Sequence, residues 1–237
     1  MGVMLDSARA SWLEIGEARG LIALLPVGAL EQHGPHLPLD TDTVLATGVA
    51  RRIADQIGGW LLPALGYGEA WSAEGWPGTV SLGAETLLRS IEDIARGLNR
   101  IGVTALITVN GHFGNRAPIA AASYPLPVLH LDYPGLEEAA TEFCVSKPAG
   151  PSFYHADEVE TSMMLALAPE AVRMDRAVAE YPTFPADFGR RPMQLREFNS
   201  SGVFGDPRPA TVATGEKIID RVVRESVALI ELWRAAL

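Results

Sequence analysis

The first strong pattern in the chain is an apolar run from Gly20 to Gly28, in which hydrophobic and polar residues do not alternate. This pattern is typical of a strand that is buried on both faces, and such strands belong to parallel sheets. After a proline-rich loop, apolar residues recur on one helical face from Val44 to Ile57, just before Gly58-Gly59. The residues at 40–43 supply candidate N-caps, so the pattern predicts a strand, a loop and a helix.

The same order of elements is repeated further along the chain. Trp60 to Leu65 predicts a short strand, and the segment Ser81 to Glu85 predicts the capped start of a helix that reaches about Arg100. Val103 to Val109 predicts the next buried strand. Alternating units of this kind predict an α/β layer fold with a mostly parallel sheet, and we interpret residues 1–237 as one domain.

The second half of the chain has fewer clear periods. Pro148 to Pro151 is predicted to be a loop, Glu158 to Ala168 a helix, and Thr214 to Ala236 approximately the closing helix. The segment from Tyr181 to Pro209 is rich in proline and aromatic residues and has no clear period. We interpret it as a lid or an oligomer contact rather than as a linker.

Composition narrows the classes of partner. Hydrophobic residues make up 48% of the chain and charged residues 20%, which is ordinary globular usage. The formal charge of -10 disfavours binding to nucleic acid or to an anionic membrane surface. Cys144 is the one cysteine, and the apolar run from Leu21 to Leu30 is too short to span a bilayer. We therefore expect a cytoplasmic protein.

Side chains that can bind a metal ion or transfer a proton are concentrated in the loop after the first strand. Its two histidines and three carboxylates are Glu31, His33, His36, Asp40 and Asp42. If residues 31–33 are extended, the side chains of Glu31 and His33 point to the same side. Mixed imidazole and carboxylate ligands suit zinc, iron or manganese, and a carboxylate such as Asp42 can bridge two ions about 3.5–4 Å apart. In the alternative interpretation, the histidines are solvated and Asp42 only caps a helix.

A second motif, Asn110-Gly-His-Phe-Gly-Asn115, directly follows the predicted strand that ends at Val109. Ligands of open α/β sheets bind beyond the carboxyl ends of the strands, so both motifs are predicted to face one crevice. His112 would then join the residues of the first loop. Taken together, the two motifs favour a metal site over isolated helix caps.

The segment from Gly28 to Asp42 and the motif from Asn110 to Asn115 resemble the two signature motifs of the creatininase family. The resemblance extends from about Leu21 to Ala168, with weaker support near residues 204–207. It implies a three-layer αβα sandwich that commonly assembles as a homo-oligomer, a hexamer. It also implies two divalent metal ions per chain, held by the residues that match Glu31, His33, Asp42 and His112.

The chain departs from creatininase at one ligand position, because Gly114 stands where creatininase has a metal-binding glutamate. The resemblance implies that the later segment His155 to Ser162 supplies the missing carboxylate. Either Glu158 or Glu160 fits, and we prefer Glu160 as the metal ligand, with Glu158 as a catalytic partner. His155 matches a histidine that helps to activate water or to protonate the leaving amine; a capping or buried histidine is the alternative.

The resemblance implies a metal-dependent amidohydrolase that cleaves a C–N bond of a small molecule or a peptide with a metal-activated water. Candidate substrate-binding residues are Phe113, Trp76 and Asn110. The family also includes formamide deformylases, a hydrolase of inositol-derived ketones and peptidases that mature a peptide-derived cofactor, and Gly114 argues against creatinine itself. The alternatives are such a peptidase, a catalytically silent binding or assembly module, and a closed site with one structural metal.

Overall fold

Five parallel strands form the central sheet of the computed structural model, which describes residues 3–150, 152–188 and 190–237. The strands lie in the order β1-β3-β2-β4-β5. They are β1 (Leu5–Asp6), β2 (Ile22–Val27), β3 (Trp60–Leu61), β4 (Ala105–Asn110) and β5 (Val128–Leu131). Every residue of β2 and β4 is buried, which confirms the predicted α/β fold with buried parallel strands.

Seven α-helices connect and cover the strands within the described ranges. They are α1 (Trp12–Glu17), α2 (Thr41–Ile57), α3 (Ala84–Arg100), α4 (Arg116–Ala121), α5 (Leu136–Phe143), α6 (Glu158–Leu167) and α7 (Val212–Ala235). None of the helices in the described part of the chain is long and apolar enough to cross a bilayer.

Two apolar clusters lie on opposite faces of the sheet. Leu24 and Ile107 face the cluster that contains the buried sides of α2, α5, α6 and α7. Leu25 and Leu106, their neighbours along the strands, face a second cluster with α3 and α4. Alternate residues of each strand therefore pack against different helix layers, which explains why these strands are apolar without interruption.

The helix starts differ in detail from the sequence prediction. The α2 helix begins at Thr41, so Asp42 lies in its first turn. Gly83, not a residue with a capping side chain, occupies the N-cap position of α3. The Ser81 hydroxyl instead accepts a hydrogen bond from the Ala70 N–H, so it fixes the preceding loop rather than the helix.

The sheet register aligns the two loops that carry the predicted motifs. Val27 at the end of β2 pairs with Asn110 at the end of β4. The Gly111 N–H then donates to the Val27 carbonyl oxygen. Both loops consequently leave the sheet at the same level and at its carboxyl edge, where α/β proteins bind ligands.

Candidate metal centre

Three parts of the chain bring a first group of candidate ligands together. Glu31 lies in the loop after β2, Asp42 in the first turn of α2, and His112 in the loop after β4, and all three are buried. His112 Nδ1 lies 3.2 Å from Glu31 Oε1 and 3.2 Å from Asp42 Oδ2. We call Glu31, Asp42 and His112 the first triplet.

A second group shares Asp42 with the first. His33 Nε2 lies 3.1 Å from Asp42 Oδ1 and 3.6 Å from Glu160 Oε2. We call His33, Asp42 and Glu160 the second triplet. One oxygen of Asp42 faces His112 of the first triplet, and the other faces His33 of the second. A carboxylate that bridges two ions requires this arrangement.

The donor set fits two divalent ions. The ligand atoms of each triplet lie within 4.8 Å of one another. His33 Nε2 and Asp42 Oδ2 are buried, and they have no hydrogen-bond partner outside the two triplets among the residues that the structure describes. Buried polar atoms that face only one another suit a bound cation, and imidazole with carboxylate suits zinc, iron or manganese.

The remaining nitrogens of both histidines are held by backbone carbonyls. His33 Nδ1 lies 3.2 Å from the Glu31 carbonyl oxygen, and His112 Nε2 lies 2.8 Å from the Glu69 carbonyl oxygen. A hydrogen bond of this kind fixes the tautomer of a metal-binding histidine. The free nitrogens, His33 Nε2 and His112 Nδ1, therefore face the triplets.

Opposite charges in the buried centre compensate one another. Burial alone would lower the pKa of His33, but the facing Asp42 and Glu160 raise it to about 10. Burial would likewise lower the pKa of His112, yet Glu31 raises it well above its usual value. Burial raises the pKa of Glu160 to about 8 despite His33. Without metal, protons supply the positive charge that these carboxylates need.

Gln32 determines the tautomer of His155. The Gln32 Oε1 accepts a hydrogen bond from the Gly34 N–H, and its Nε2 donates to the Gly202 carbonyl oxygen. The amide nitrogen therefore also faces His155 Nε2, at 2.8 Å. Because an amide nitrogen only donates, His155 Nε2 accepts and the ring proton lies on Nδ1, 3.6 Å from Glu31 Oε1. Burial, with the nearby charge of His33, lowers the pKa of His155 to about 4.

The two candidate glutamates of α6 lie in different surroundings. Glu160 belongs to the second triplet, and its Oε2 also accepts a hydrogen bond from the Ala156 N–H. The Glu158 carboxylate accepts hydrogen bonds from the N–H groups of Val145 and Ser146. These contacts tie Glu158 to the connection before α6, and its catalytic role stays a prediction that they do not favour.

A cavity of about 650 Å³ opens beside the triplets. Aromatic side chains form much of its wall: Trp71, Phe113, Tyr133, Phe153, Tyr154 and Phe188. Phe113 and Asn110 line the cavity, and their contact with a substrate stays a prediction. The Asn110 amide already donates to the His112 carbonyl and to Asp132.

Trp76 does not line this cavity in the described structure, and Trp71 lines it instead. The indole nitrogen of Trp76 is buried and has no hydrogen-bond partner among the described residues. Its contact with a substrate stays a prediction, which its absence from the cavity wall does not favour.

Among the cavity residues that sequence reasoning missed are Glu69 and Tyr133. Tyr133 follows β5, a strand of four residues whose carboxyl end lies beside that of β4. The pattern Val128-Leu-His-Leu131 is a weak strand signal, but its recognition would have placed Tyr133 at the edge that binds ligands. Glu69 lies in a loop without a periodic pattern.

The structure also explains why a glycine stands at position 114. A Cβ atom at this position would lie 2.0 Å from the Glu69 carbonyl oxygen and 2.7 Å from His112 Nε2. The Glu69 carbonyl, which holds His112, therefore occupies the space of a side chain at position 114. The carboxylate of Glu160 approaches His33 from α6 instead.

Comparisons with known proteins agree with this geometry. The creatininase family model, described as creatinine amidohydrolase, matches residues 8–230. A mycofactocin precursor peptide peptidase of Mycolicibacterium smegmatis is 35% identical over 90% of this chain and 85% of its own length. A creatinine amidohydrolase of Pseudomonas putida is 32% identical over 86% of each chain. A solved mutant creatininase of Zn-Zn type superposes with a TM-score of 0.81 at 30% identity, over 95% of this chain and 96% of that chain.

Proposed function

Because the chain belongs to the creatininase family, we propose that it is a two-metal hydrolase that cleaves a C–N bond. Glu31, His33, Asp42, His112 and Glu160 are the proposed ligands. The observation that carries the proposal is the position of Asp42, whose two oxygens face the two triplets. Bound there, two divalent ions would activate a water molecule and polarise the carbonyl group that it attacks.

The protein's own groups orient the reaction around this centre. His155 presents its Nδ1–H toward Glu31, and Gln32 holds the ring in that tautomer. We assign to this N–H the contact with the leaving nitrogen. The low pKa of His155 keeps the imidazole neutral near pH 7, so its Nδ1–H would donate a hydrogen bond to the leaving nitrogen. The proton that this nitrogen gains would come from the attacking water.

The cavity favours a peptide or another extended amide as the substrate. Its volume of about 650 Å³ lies in the range that holds drug-sized ligands and exceeds what one small ring fills. Its aromatic wall suits an apolar side chain next to the scissile bond. The similarity to a precursor peptide peptidase supports this choice. The second candidate is a cyclic amide, favoured by the similarity to a creatinine amidohydrolase.

Elemental analysis of the purified chain tests the metal proposal. We expect about two equivalents of zinc, iron or manganese in the natural protein. Asp42→Asn should lose both ions, because it weakens a ligand that both triplets share. Asp40→Asn is the matched control, since Asp40 is exposed at the start of the same helix, and it should keep both. A metal-free natural protein that takes up no ion would support a silent binding module.

Turnover assays then separate the substrate classes. The metal-loaded protein is offered blocked dipeptides with an aromatic residue, matched dipeptides with glycine, and creatinine. We expect faster hydrolysis of the aromatic peptides than of the glycine peptides, with little turnover of creatinine. Hydrolysis of creatinine alone would reject the extended-amide proposal in favour of the cyclic amide.

A further inference from the structure

Tyr133, which lines the cavity, carries a buried hydroxyl that has no partner among the described residues. The residue follows β5 by two positions and lines the cavity together with both triplets' carboxylates. Its Oη is buried, and no described residue forms a hydrogen bond with it. A buried donor left unpaired destabilises the protein, so a ligand that accepts a hydrogen bond from it would remove this penalty.

The backbone of Tyr133 is also unusual. Its φ is +49°, in the left-handed region that residues other than glycine rarely adopt. The turn that follows holds this conformation, since the Leu136 N–H donates to the Tyr133 carbonyl oxygen. Such strained conformations cluster at functional sites, and this one lies at the cavity wall.

The hydroxyl lies close to the backbone that carries the ligands. A Cβ atom added to Gly111 would lie 3.1 Å from Tyr133 Oη and 2.5 Å from the Asp42 carbonyl oxygen. Gly111 directly precedes His112, a member of the first triplet. The glycine therefore leaves room for the hydroxyl and for the Asp42 carbonyl oxygen, on the backbone between two members of the first triplet.

We propose that Tyr133 is a catalytic residue whose hydroxyl donates a hydrogen bond to the substrate carbonyl oxygen as negative charge develops on it. This inference rests on the proposed hydrolysis. One water is added across the C–N bond: its oxygen joins the carbonyl carbon, and the leaving nitrogen gains a proton. Tyr133 keeps its own proton throughout and stabilises the charge.

The variant Tyr133→Phe removes only the hydroxyl. We expect kcat to fall by about 10²- to 10³-fold, the usual loss for one oxyanion donor, with two metal ions still bound and KM little changed. Tyr124→Phe is the control, because the Tyr124 hydroxyl donates to the Ile119 carbonyl oxygen outside the cavity, and its kcat should not change. Loss of metal from Tyr133→Phe would overturn the proposal by making the hydroxyl a ligand.

Binding of inorganic phosphate, a tetrahedral oxyanion, gives a readout besides turnover. Calorimetry on the metal-loaded proteins should show binding to Tyr133→Phe weakened about tenfold or more relative to the natural protein. Phosphate affinity that is equal in the two proteins, together with an unchanged kcat, would overturn the role of Tyr133 and leave the hydrolase intact. A natural protein with two metals and no turnover of any amide would instead reject the proposed hydrolysis.

Discussion

At the scale of single residues, the two glutamates at the start of α6 show how a short segment serves two purposes. Positions two apart on a helix differ by about 200° around its axis, so Glu158 and Glu160 point in different directions. Glu160 approaches His33, while Glu158 accepts hydrogen bonds from the backbone at residues 145–146. Two glutamates that are two positions apart therefore contact different partners, a histidine side chain in one case and backbone N–H groups in the other.

Substitution of each glutamate by glutamine should distinguish these surroundings. Glu160→Gln removes a charged ligand of the second triplet, so we expect it to retain about one metal equivalent and to lose most turnover. Glu158→Gln should keep two equivalents and show a lower free energy of unfolding, because its charge-assisted hydrogen bonds weaken. Metal analysis and denaturant unfolding of both variants check this, and the reverse pattern would make Glu158 the ligand.

Residue spacing was enough to nominate some site residues but not others. Glu31, His33 and Asp42 stand in one short segment of the sequence, and His112 follows a strand that can be predicted, so their meeting at one sheet edge follows from the pattern. Tyr133 and Glu69 could not be found in this way. Their places depend on a short strand and on an irregular loop, which leave little periodic signal.

At the scale of elements, close packing between α6 and α7 supports the position of Glu160. Gly215 in α7 lies against the α6 backbone, and a Cβ atom there would lie 1.9 Å from the Ser162 carbonyl oxygen. The Thr211 N–H at the start of α7 also donates to the Ser162 hydroxyl. The longest helix of the described chain therefore fixes the short helix that carries a candidate ligand.

The variant Gly215→Ala tests this packing. The new methyl group has no space, so we expect the free energy of unfolding to fall by about 1–3 kcal/mol or more, with weaker metal retention. Gly97→Ala is the matched control, because Gly97 lies within α3 and its nearest added contact is 3.9 Å away. That change should be neutral or stabilise by up to about 1 kcal/mol. Equal stabilities in denaturant titrations would contradict the close contact.

Long elements with a clear period were the ones that sequence predicted well. The α2, α3 and α7 helices have buried faces spaced every three or four residues, and the prediction located them within a few positions. The elements that escaped prediction are short: β1, α1, α4, β5 and α5. Two to eight residues carry too little periodicity, and their existence depends on pairing and packing with distant parts of the chain.

At the scale of the whole molecule, the metal-free centre holds protons in place of ions. His33 has a pKa of about 10 because of Asp42 and Glu160, so it is protonated at pH 7 when no metal is bound. Glu31 likewise raises the pKa of His112. A histidine must lose this proton before its nitrogen binds a metal.

Metal uptake at pH 7 should therefore release more than one proton per chain. Calorimetric titration of zinc into metal-free protein in two buffers with different heats of protonation measures this number. The apparent affinity should rise as the pH increases through the neutral range, because protons compete less. Asp42→Asn should release fewer protons, and heats that are independent of the buffer would contradict the prediction.

Much of the cavity wall comes from segments that carry no candidate metal ligand, and this division has an evolutionary consequence. The candidate ligands lie in the loops after β2 and β4 and in the first turns of α2 and α6, whereas Trp71, Phe153 and Phe188 come from other segments. Substitutions in these segments can therefore change the cavity wall without changing the candidate metal ligands. A peptide peptidase and a creatinine amidohydrolase resemble this chain almost equally, at 35% and 32% identity, as such divergence would produce. New substrates should arise in this lineage from changes in its loops.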